Sequence, residues 1–171
     1  NKGAYNIPLL KGSVLVADRF YNDFSLLNIW DSKGVFFVVR HKENIKYTSI
    51  KENELPDNRY EHILKDEIIM LTGVQSKKKY PNKLRRVAIW DEVNKQVIEV
   101  ITNQMSWTAN TISELYKSRW QIEIFFREIK QLLHIKSFIG TSQNAVMIQI
   151  WTALITILIL KVLKAMAKYS W

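Results

Sequence analysis

Four polar side chains of the kinds that handle phosphates recur at helical spacing in the middle of the sequence. They are Tyr116, Arg119, Glu123 and Lys130, which supply one phenol, one guanidinium, one carboxylate and one ammonium group. On a helix of about 3.6 residues per turn, these four positions fall within a stripe about 60° wide. A carboxylate is a hard oxygen ligand that suits Mg²⁺, and cations beside it can hold phosphates. The row therefore predicts a metal-dependent phosphodiester site.

The same row has a structural alternative. Arg119 and Glu123 stand four residues apart, so a solvated helix would pair them as an ordinary surface ion pair. Charged rows of this kind are common on surface helices, and spacing alone favours the solvated face. The sequence around the row is needed to decide between the two interpretations.

That context resembles a known family. The four residues match the Y-x2-R-x3-E-x6-K signature of bacterial insertion-sequence transposases of the DDE type. The runs YKSRWQIEIFFREIKQLL and KSFIGTSQNAVMIQIWTALI are similar to the end of that family's catalytic domain. The resemblance covers nearly the whole chain and is weaker in its middle part. It implies a ribonuclease-H-like α/β catalytic core in which Glu123 is a catalytic metal ligand, while Tyr116, Arg119 and Lys130 contact DNA.

A second carboxylate follows a predicted strand near the start of the chain. Residues 13–17 are a short apolar run typical of a buried strand, and Asp18 comes directly after it. Carboxylates at strand ends in α/β folds often face the active cleft. Asp23 is better placed to cap the helix predicted over residues 24–30. In the resembled family an Asp in this D-R-x-Y setting is the second acid of the catalytic triad, so Asp18 is expected to bind metal with Glu123.

The pattern between residues 35 and 103 predicts strands and no convincing helix. Short runs rich in apolar and β-branched residues lie at 35–39, 46–50, 67–71, 85–90 and 96–101, with a loop at 51–61. The resemblance makes 35–103 a β-rich insertion that continues the sheet of a single catalytic domain over 1–171. Residues 108–171 are expected to form its C-terminal helical part. The first helix there is predicted to begin at Thr111, which fits a capping box with Glu114.

A basic segment lies between two of these strands, at residues 76–86. Its positive charges are at Lys77, Lys78, Lys79, Lys83, Arg85 and Arg86, with Tyr80 among them. At a hairpin tip, Lys77, Lys78, Lys79 and Arg85 are predicted to contact DNA phosphates, and Tyr80 to stack on a base. The alternative is a solvated loop that only raises solubility.

Charge and composition indicate which partners and which kinds of metal site the chain can have. A net charge of +9 favours a polyanionic partner, nucleic acid rather than a membrane. The absence of cysteine excludes disulfides and thiolate metal sites, and the three histidines lack zinc-ligand spacing. The uncharged core of the last apolar segment, residues 145–160, is shorter than the roughly 20 residues of a membrane span. It is predicted to be a buried helix against the sheet.

The resemblance also implies a mechanism and a setting. It implies two-metal phosphoryl transfer with Mg²⁺ or Mn²⁺ on double-stranded DNA, at transposon ends and at the target, by a homodimer of the full-length protein in the bacterial cytoplasm at the nucleoid. The family's first catalytic Asp has no counterpart in residues 1–11. We therefore expect a C-terminal fragment with two of three metal ligands, inactive alone. The alternatives are a catalytically silent DNA-binding piece and another ribonuclease-H-like nuclease.

Overall fold

The computed structural model describes residues 2–41, 44–55, 62–132 and 142–167. The strands are β1 (Val14–Ala17), β2 (Phe36–Arg40), β3 (Tyr47–Glu52), β4 (Ile63–Leu71), β5 (Leu84–Asp91) and β6 (Gln96–Thr102). The helices are α1 (Phe24–Ser32), α2 (Val74–Lys79), α3 (Ala109–Ser118), α4 (Trp120–Leu132) and α5 (Gln143–Met166). Short 3₁₀ turns cover Lys2–Asn6 and Arg19–Tyr21. The chain forms two compact units, residues 1–119 and residues 120–171.

The described strands form one mixed sheet in the order β1-β2-β6-β5-β4-β3. β1 and β2 are parallel, with Ala17 opposite Val39, and every other neighbouring pair is antiparallel. A parallel pair needs a crossover connection, which α1 supplies. Because β1 and β2 run in the same direction, Asp18 and Arg40 come to lie at the same end of the sheet.

Helices cover both faces of this sheet. α1 packs Leu26, Leu27 and Trp30 against one face, where they meet Phe37 and Val39 of β2. On the other face, Val38 packs with α3 residues such as Ile112. Successive side chains of a strand point to opposite faces, so a strand covered on both sides is a continuous apolar run. The prediction of a strand buried on both faces at residues 35–39 is confirmed.

The middle of the chain contains a helix that the sequence did not predict. α2 (Val74–Lys79) follows Gly73, so Lys77, Lys78 and Lys79 lie on its last turn rather than at a hairpin tip. Six residues with three adjacent lysines carry no amphipathic pattern, which explains the wrong prediction. All five predicted strands of this region are present, and β3 continues to Glu52. Of the predicted loop over residues 51–61, positions 53–55 have no regular structure and 56–61 lie outside the described residues.

The predicted start and end of α1 are confirmed. Asp23 is its N-cap, and the side-chain oxygen of Asp23 accepts the Ser25 N–H at 3.0 Å. The helix gives way to Lys33 and Gly34, and Gly34 has φ +69°, a left-handed conformation that glycine adopts without strain. Asp23 thus has the capping role that the sequence analysis expected.

The helix predicted to run through the charged row is divided at Arg119. α3 ends at Ser118 and α4 begins at Trp120, while the Arg119 N–H donates to the Tyr116 carbonyl at 3.1 Å. The start of α3 also differs from prediction, because Thr108 is the N-cap and its hydroxyl accepts the Thr111 N–H at 3.1 Å. One continuous helix from Thr111 was therefore a wrong prediction. The prediction of a single domain concerns both units together and stays a prediction.

The second unit consists of α4 and α5. Ala153 and Ile157 of α5 are buried together, with Phe125 and Leu154 packed against them. By length and composition alone, α5 is long and apolar enough to cross a membrane. Since such a test is also passed by core helices of soluble proteins, the prediction of a helix buried against the sheet stays a prediction.

Candidate functional site

Asp18 lies where β1 ends, as the sequence predicted, and it is half-buried. Its Oδ1 accepts the backbone N–H of Arg19 at 2.7 Å, so Asp18 caps the 3₁₀ turn Arg19–Tyr21. The sequence analysis expected capping from Asp23 rather than from Asp18. Both residues are N-caps: Asp23 of α1 and Asp18 of the 3₁₀ turn. The hydrogen bond from Arg19 fixes the carboxylate at the end of the strand while leaving it in reach of solvent.

Tyr116 and Arg119 lie at the same place, brought there by the packing of α3 on β1 and β2. The Tyr116 side chain is 1% exposed, and the guanidinium carbon of Arg119 lies 5.6 Å from the centre of its ring. Burial raises the pKa of Tyr116, and the Asp18 carboxylate raises it further against the opposing charges of Arg119 and Arg40. Tyr116 is therefore a neutral phenol at physiological pH. Because its hydroxyl is buried, it cannot contact a DNA phosphate directly, and that prediction for Tyr116 is wrong.

Arg40 is a site residue that the sequence analysis missed. It ends β2 one residue beyond the paired Ala17 and Val39, so it stands level with Asp18 across the parallel strands. Its Nη2 donates to the Gln96 Oε1 at 3.3 Å, and its carbonyl accepts from Asn22 at 3.1 Å. The signal was available: an Arg closes the apolar run at 35–39, and the rule that singled out Asp18 at a strand end applies equally to it.

A polar pocket of about 250 Å³ opens beside Arg40. Its lining consists of Arg19, Arg40, His41, Gln96, Val97 and Glu99. His41 is 7% exposed, with its Nδ1 at 3.4 Å from the Glu99 carboxylate. Burial lowers the pKa of His41, the Arg86 charge lowers it too, and Glu99 opposes them. The two arginines therefore carry the positive charge of this pocket, and an anionic group such as phosphate matches it.

Comparison with known proteins shows the family to which the chain belongs. A family model described as a transposase DDE domain matches residues 4–159. The chain belongs to the DDE transposase family. It is 32% identical over 148 residues to a probable transposase of insertion sequence element IS5377 from Geobacillus stearothermophilus, covering 86% of this chain and 38% of the relative. It is 30% identical over 158 residues to the putative transposase y4zB of Sinorhizobium fredii, covering 91% of this chain and 44% of the relative. The transposase domain thus spans about two fifths of the length of these relatives.

Arg85 of this transposase domain does not have the role predicted for it. The side chain is 5% exposed, and its Nε and Nη2 donate to the two carboxylate oxygens of Asp66 at 2.8 and 2.7 Å. Its Nη1 also donates to the carbonyl of Trp107 at 2.5 Å. A guanidinium enclosed in this way cannot contact a DNA phosphate, so that prediction is wrong. The antiparallel pairing of β4 with β5, which the sequence pattern does not contain, places Asp66 within hydrogen-bond distance of Arg85 and pairs Glu67 with Arg86.

Tyr80 is also unavailable for its predicted contact. The side chain is 1% exposed, and its hydroxyl donates to the Asp31 Oδ2 at 2.9 Å. Burial raises the pKa of Tyr80, and the bond to Asp31 adds to this. Because the ring packs edge-on against Phe37, with the ring centres 6.2 Å apart, it cannot stack on a base. Tyr80 instead connects the end of α2 to α1 through its hydrogen bond to Asp31.

The three lysines of α2 are exposed, as a DNA contact requires, but they are remote from Asp18. α2 follows the end of β4, and β5 begins after it, at the end of the sheet opposite Asp18 and Arg40. The structure therefore separates the predicted DNA-binding residues of this transposase domain into two sets. Contact of Lys77, Lys78 and Lys79 with DNA stays a prediction.

Glu123 and Lys130 belong to α4, in the second unit. Glu123 is exposed in the first turn of α4, and the side chain of Lys130 lies outside the described part of the structure. The approach of Glu123 to Asp18 stays a prediction. Among the described residues, no three side chains of His, Cys, Asp or Glu are grouped to hold a metal ion. Of the two predicted metal ligands, Asp18 belongs to the first unit, and its metal binding stays a prediction.

Proposed function

We propose that this DDE transposase domain takes part in metal-dependent cleavage and transfer of DNA strands at transposon ends. The observation that supports it best is the convergence of Asp18, Arg40, Tyr116 and Arg119 at one end of the sheet, in a chain of the transposase family. In this proposal the sheet belongs to a ribonuclease-H-like core, and residues 35–103 are a β-rich insertion that continues it.

Asp18 and Glu123 are the proposed ligands of two Mg²⁺ or Mn²⁺ ions, together with a further carboxylate. The Asp18 carboxylate fits a hard cation, because it is a solvent-accessible oxygen donor fixed in place by the Arg19 N–H. When bound, such ions polarise a phosphoryl oxygen and lower the pKa of coordinated water. Glu123 is exposed at the start of α4, where a ligand can reach it.

The cations beside Asp18 are proposed to hold the DNA strand. Arg40 and Arg119 carry fixed positive charges that offset a phosphate, and guanidinium groups bind phosphate oxygens in a bidentate geometry. Tyr116 stays protonated because burial raises its pKa, and its buried ring, over which Arg119 lies, is proposed to position the Arg119 guanidinium. The two arginines position the strand, whereas the carboxylates hold the metal that acts on it. Lys130 is proposed to add a further phosphate contact from α4.

The proposed partners are double-stranded DNA at transposon ends and at the target, bound by a homodimer of the full-length protein. We place the activity in the bacterial cytoplasm, at the nucleoid. The 171-residue chain alone is proposed not to cleave DNA, because its described residues gather no third carboxylate around Asp18.

The test is strand cleavage of transposon-end DNA by the chain extended upstream to the length of its relatives, with Mg²⁺ present. Asp18→Asn and Glu123→Gln should each abolish cleavage while DNA binding is retained. Asp23→Asn is the matched control, because Asn also caps helices and can still form a hydrogen bond with the Tyr5 hydroxyl, which donates to Asp23. If the extended protein binds DNA but never cleaves it, the chain is a silent DNA-binding piece. If Asp18→Asn still cleaves, its assignment as a metal ligand is wrong.

A further inference from the structure

The end of the sheet opposite Asp18 gathers lysines from separate parts of the chain. Arg85 is opposite Thr102, and Thr102 is opposite Val38, so β5 begins at the end of the sheet where β2 begins. β2 runs from there to Arg40. Val35, directly before β2, is five residues from Arg40. At roughly 3.3 Å per residue, this end of the sheet therefore lies about 16 Å from Arg40 along the strand. Side chains here cannot contact the phosphate that Arg40 holds.

Asp31 lies at the centre of this end and connects the segments. Its Oδ2 accepts from the Tyr80 hydroxyl at 2.9 Å and from Asn82 at 3.1 Å, and its Oδ1 accepts from Asn103 at 2.8 Å. Lys79 and Lys83 are next to the residues that Asp31 binds. Asp31 therefore places α2 and the turn after it against the end of α1.

Two further lysines come from the turn between α1 and β2 and from the segment before β1. Lys33 is the C-cap of α1. In the same turn, the Gly34 carbonyl accepts the N–H of Gly12 at 2.8 Å. The Lys11 side chain lies across Gly34, where a Cβ would meet its Cγ at 3.0 Å. We call the resulting patch the lysine surface, and it consists of Lys11, Lys33, Lys77, Lys78, Lys79 and Lys83.

The lysine surface has little negative charge of its own. Its six lysines are all exposed, and the segments that carry them include one carboxylate, Asp31, so six positive charges less one leave a net charge of +5. Within the described ranges, no Asp or Glu oxygen lies within 4 Å of any of these six ammonium groups. Ammonium groups that lack counter-charges in the protein attract a chain of phosphates and release its counterions. The aromatic ring of this segment, Tyr80, is buried, so base stacking is unavailable here.

We propose that the lysine surface binds the phosphate backbone of duplex DNA away from the reacting phosphate. The separation is at least about 16 Å, or roughly five base pairs at 3.4 Å each. The partner is the flank of the duplex that Asp18 and Arg40 hold, and in this respect the inference rests on the proposed function. Lysine ammonium groups that contact phosphates make no contact with base edges, so they bind DNA of any sequence. The lysine surface therefore adds affinity and not specificity.

The test measures binding of the 171-residue chain to a mixed-sequence DNA duplex of about 30 base pairs as the salt concentration is varied. Replacing Lys77, Lys78 and Lys79 together by Gln should lower the slope of log K against log salt by about 2 to 3, at roughly 0.9 per phosphate contact. Their replacement by Arg should retain the slope. The control replaces Lys51, Lys95 and Lys164 by Gln, which removes the same charge elsewhere and should change the slope by less than about 1.

If Arg40 and the lysine surface bind DNA independently, substitutions at the two places should have additive effects on the slope of log K against log salt. Arg40→Gln should lower the slope by about 1, and combining it with the triple Gln variant should give the sum, because sites more than about 10 Å apart act independently. An unchanged slope in the triple Gln variant, or equal losses in the control, would overturn the inference. Cleavage by the extended protein tests the proposed function separately. If no extended protein cleaves DNA while the triple Gln variant still has weaker DNA binding, the proposed function is wrong and the DNA-binding role of the lysine surface is supported.

Discussion

Asp18 and Arg40 lie side by side, each one residue beyond the paired Ala17 and Val39 of the two parallel strands. The pairing places a carboxylate and a guanidinium at the same end of the sheet, where α3 adds Tyr116 and Arg119. The electrostatic influence of Asp18 and Arg40 on the Tyr116 hydroxyl shows that the groups act on one region. A metal ligand next to a phosphate-binding cation is the combination that phosphoryl transfer uses.

Replacing Arg40 tests the residue that the sequence analysis missed. Arg40→Gln removes a charge from the proposed phosphate contact, and a hydrogen bond to a charged group is worth about 1.5–3 kcal/mol. We expect the rate of DNA cleavage by the extended protein to fall about 10- to 100-fold, at about 1.4 kcal/mol per factor of ten.

The control for this variant is Lys95→Gln, which removes one positive charge from an exposed turn. Its cleavage rate should stay within about twofold of the parent, as expected for a screened surface charge. Equal rates for Arg40→Gln and the parent protein would remove Arg40 from the site.

Tyr116→Phe tests the role of the phenol. The ring keeps its packing in the core formed with Ile112 and Val38 and its contact with Arg119. The buried hydroxyl lies beside Arg119, so its removal acts through that guanidinium and should lower the cleavage rate about 2- to 10-fold, as for one neutral hydrogen bond of about 0.5–1.5 kcal/mol. The thermal midpoint should shift by only a few degrees, because no cavity is made. A full cleavage rate in Tyr116→Phe would show that the hydroxyl does not position Arg119.

A third prediction concerns the buried pair Arg85–Asp66, in which both side chains are 5% exposed. Arg85→Met leaves the Asp66 carboxylate buried without its partner, so the free energy of unfolding should fall by about 3–5 kcal/mol. Denaturant unfolding measures this. The double variant Arg85→Met/Asp66→Leu should recover most of the loss, since it removes the unpaired charge.

Lys95→Met is the matched control, because its ion pair with Glu92 lies on the surface with side chains 70% and 68% exposed. Its loss should be less than about 1 kcal/mol. If Arg85→Met costs no more than this control, the buried pair contributes no more to stability than a surface ion pair does.

Much of the fold could be predicted because local patterns coincide with tertiary packing. The apolar run at 35–39 is a strand buried on both faces, and Asp23 and Gly34 bound α1 as turn chemistry predicts. α2 could not be found in this way, because Asp31 and Tyr80 hold its six residues in place across 49 positions of sequence. The division of the helix at Arg119 has no Pro or Gly to mark it.

The candidate site was predictable in part for the same reason. Asp18 was found because a carboxylate at the end of an apolar run is unusual, and Tyr116 and Arg119 because a family signature fixes their spacing. Arg40 also closes an apolar run, but its position beside Asp18 required the knowledge that β1 and β2 are parallel neighbours, which sequence periodicity does not contain. Arg85 was misassigned because charge count alone does not reveal that Asp66 faces it from the next strand.

The last prediction concerns acid stability. Burial lowers the pKa of His41, so the folded state binds this proton less readily than the unfolded state, whose histidine titrates near its ordinary value of about 6.5. His62 is shifted in the same direction, by burial first and then by Lys117. Their contribution to stability is thus fully present above about pH 6.5 and is lost as the pH falls below it.

Glu67 adds a second step at lower pH. Burial works against its charge, but hydrogen bonds from Ser49, Arg86 and Lys65 outweigh this and hold the pKa of Glu67 below its usual value. Its contribution is present above the ordinary glutamate pKa of about 4.3 and is lost as the pH falls through the lowered value. Stability should therefore decline in two stages, first from histidine and then from Glu67.

Denaturant unfolding between about pH 7.5 and 3.5 separates the two stages, because each group acts near its own unfolded pKa. His41→Gln should flatten the upper stage, and adding His62→Gln should flatten it further, while the lower stage remains. Glu67→Gln should reduce the lower stage and leave the upper one, and the part that remains comes from groups such as Asp91, whose pKa is lowered by its hydrogen bond from Asn94. A slope between pH 7 and 5 that is unchanged in His41→Gln/His62→Gln would mean that neither histidine has a pKa lowered by folding. A slope that becomes steeper in His41→Gln would mean instead that Glu99 raises the pKa of His41 in the folded protein.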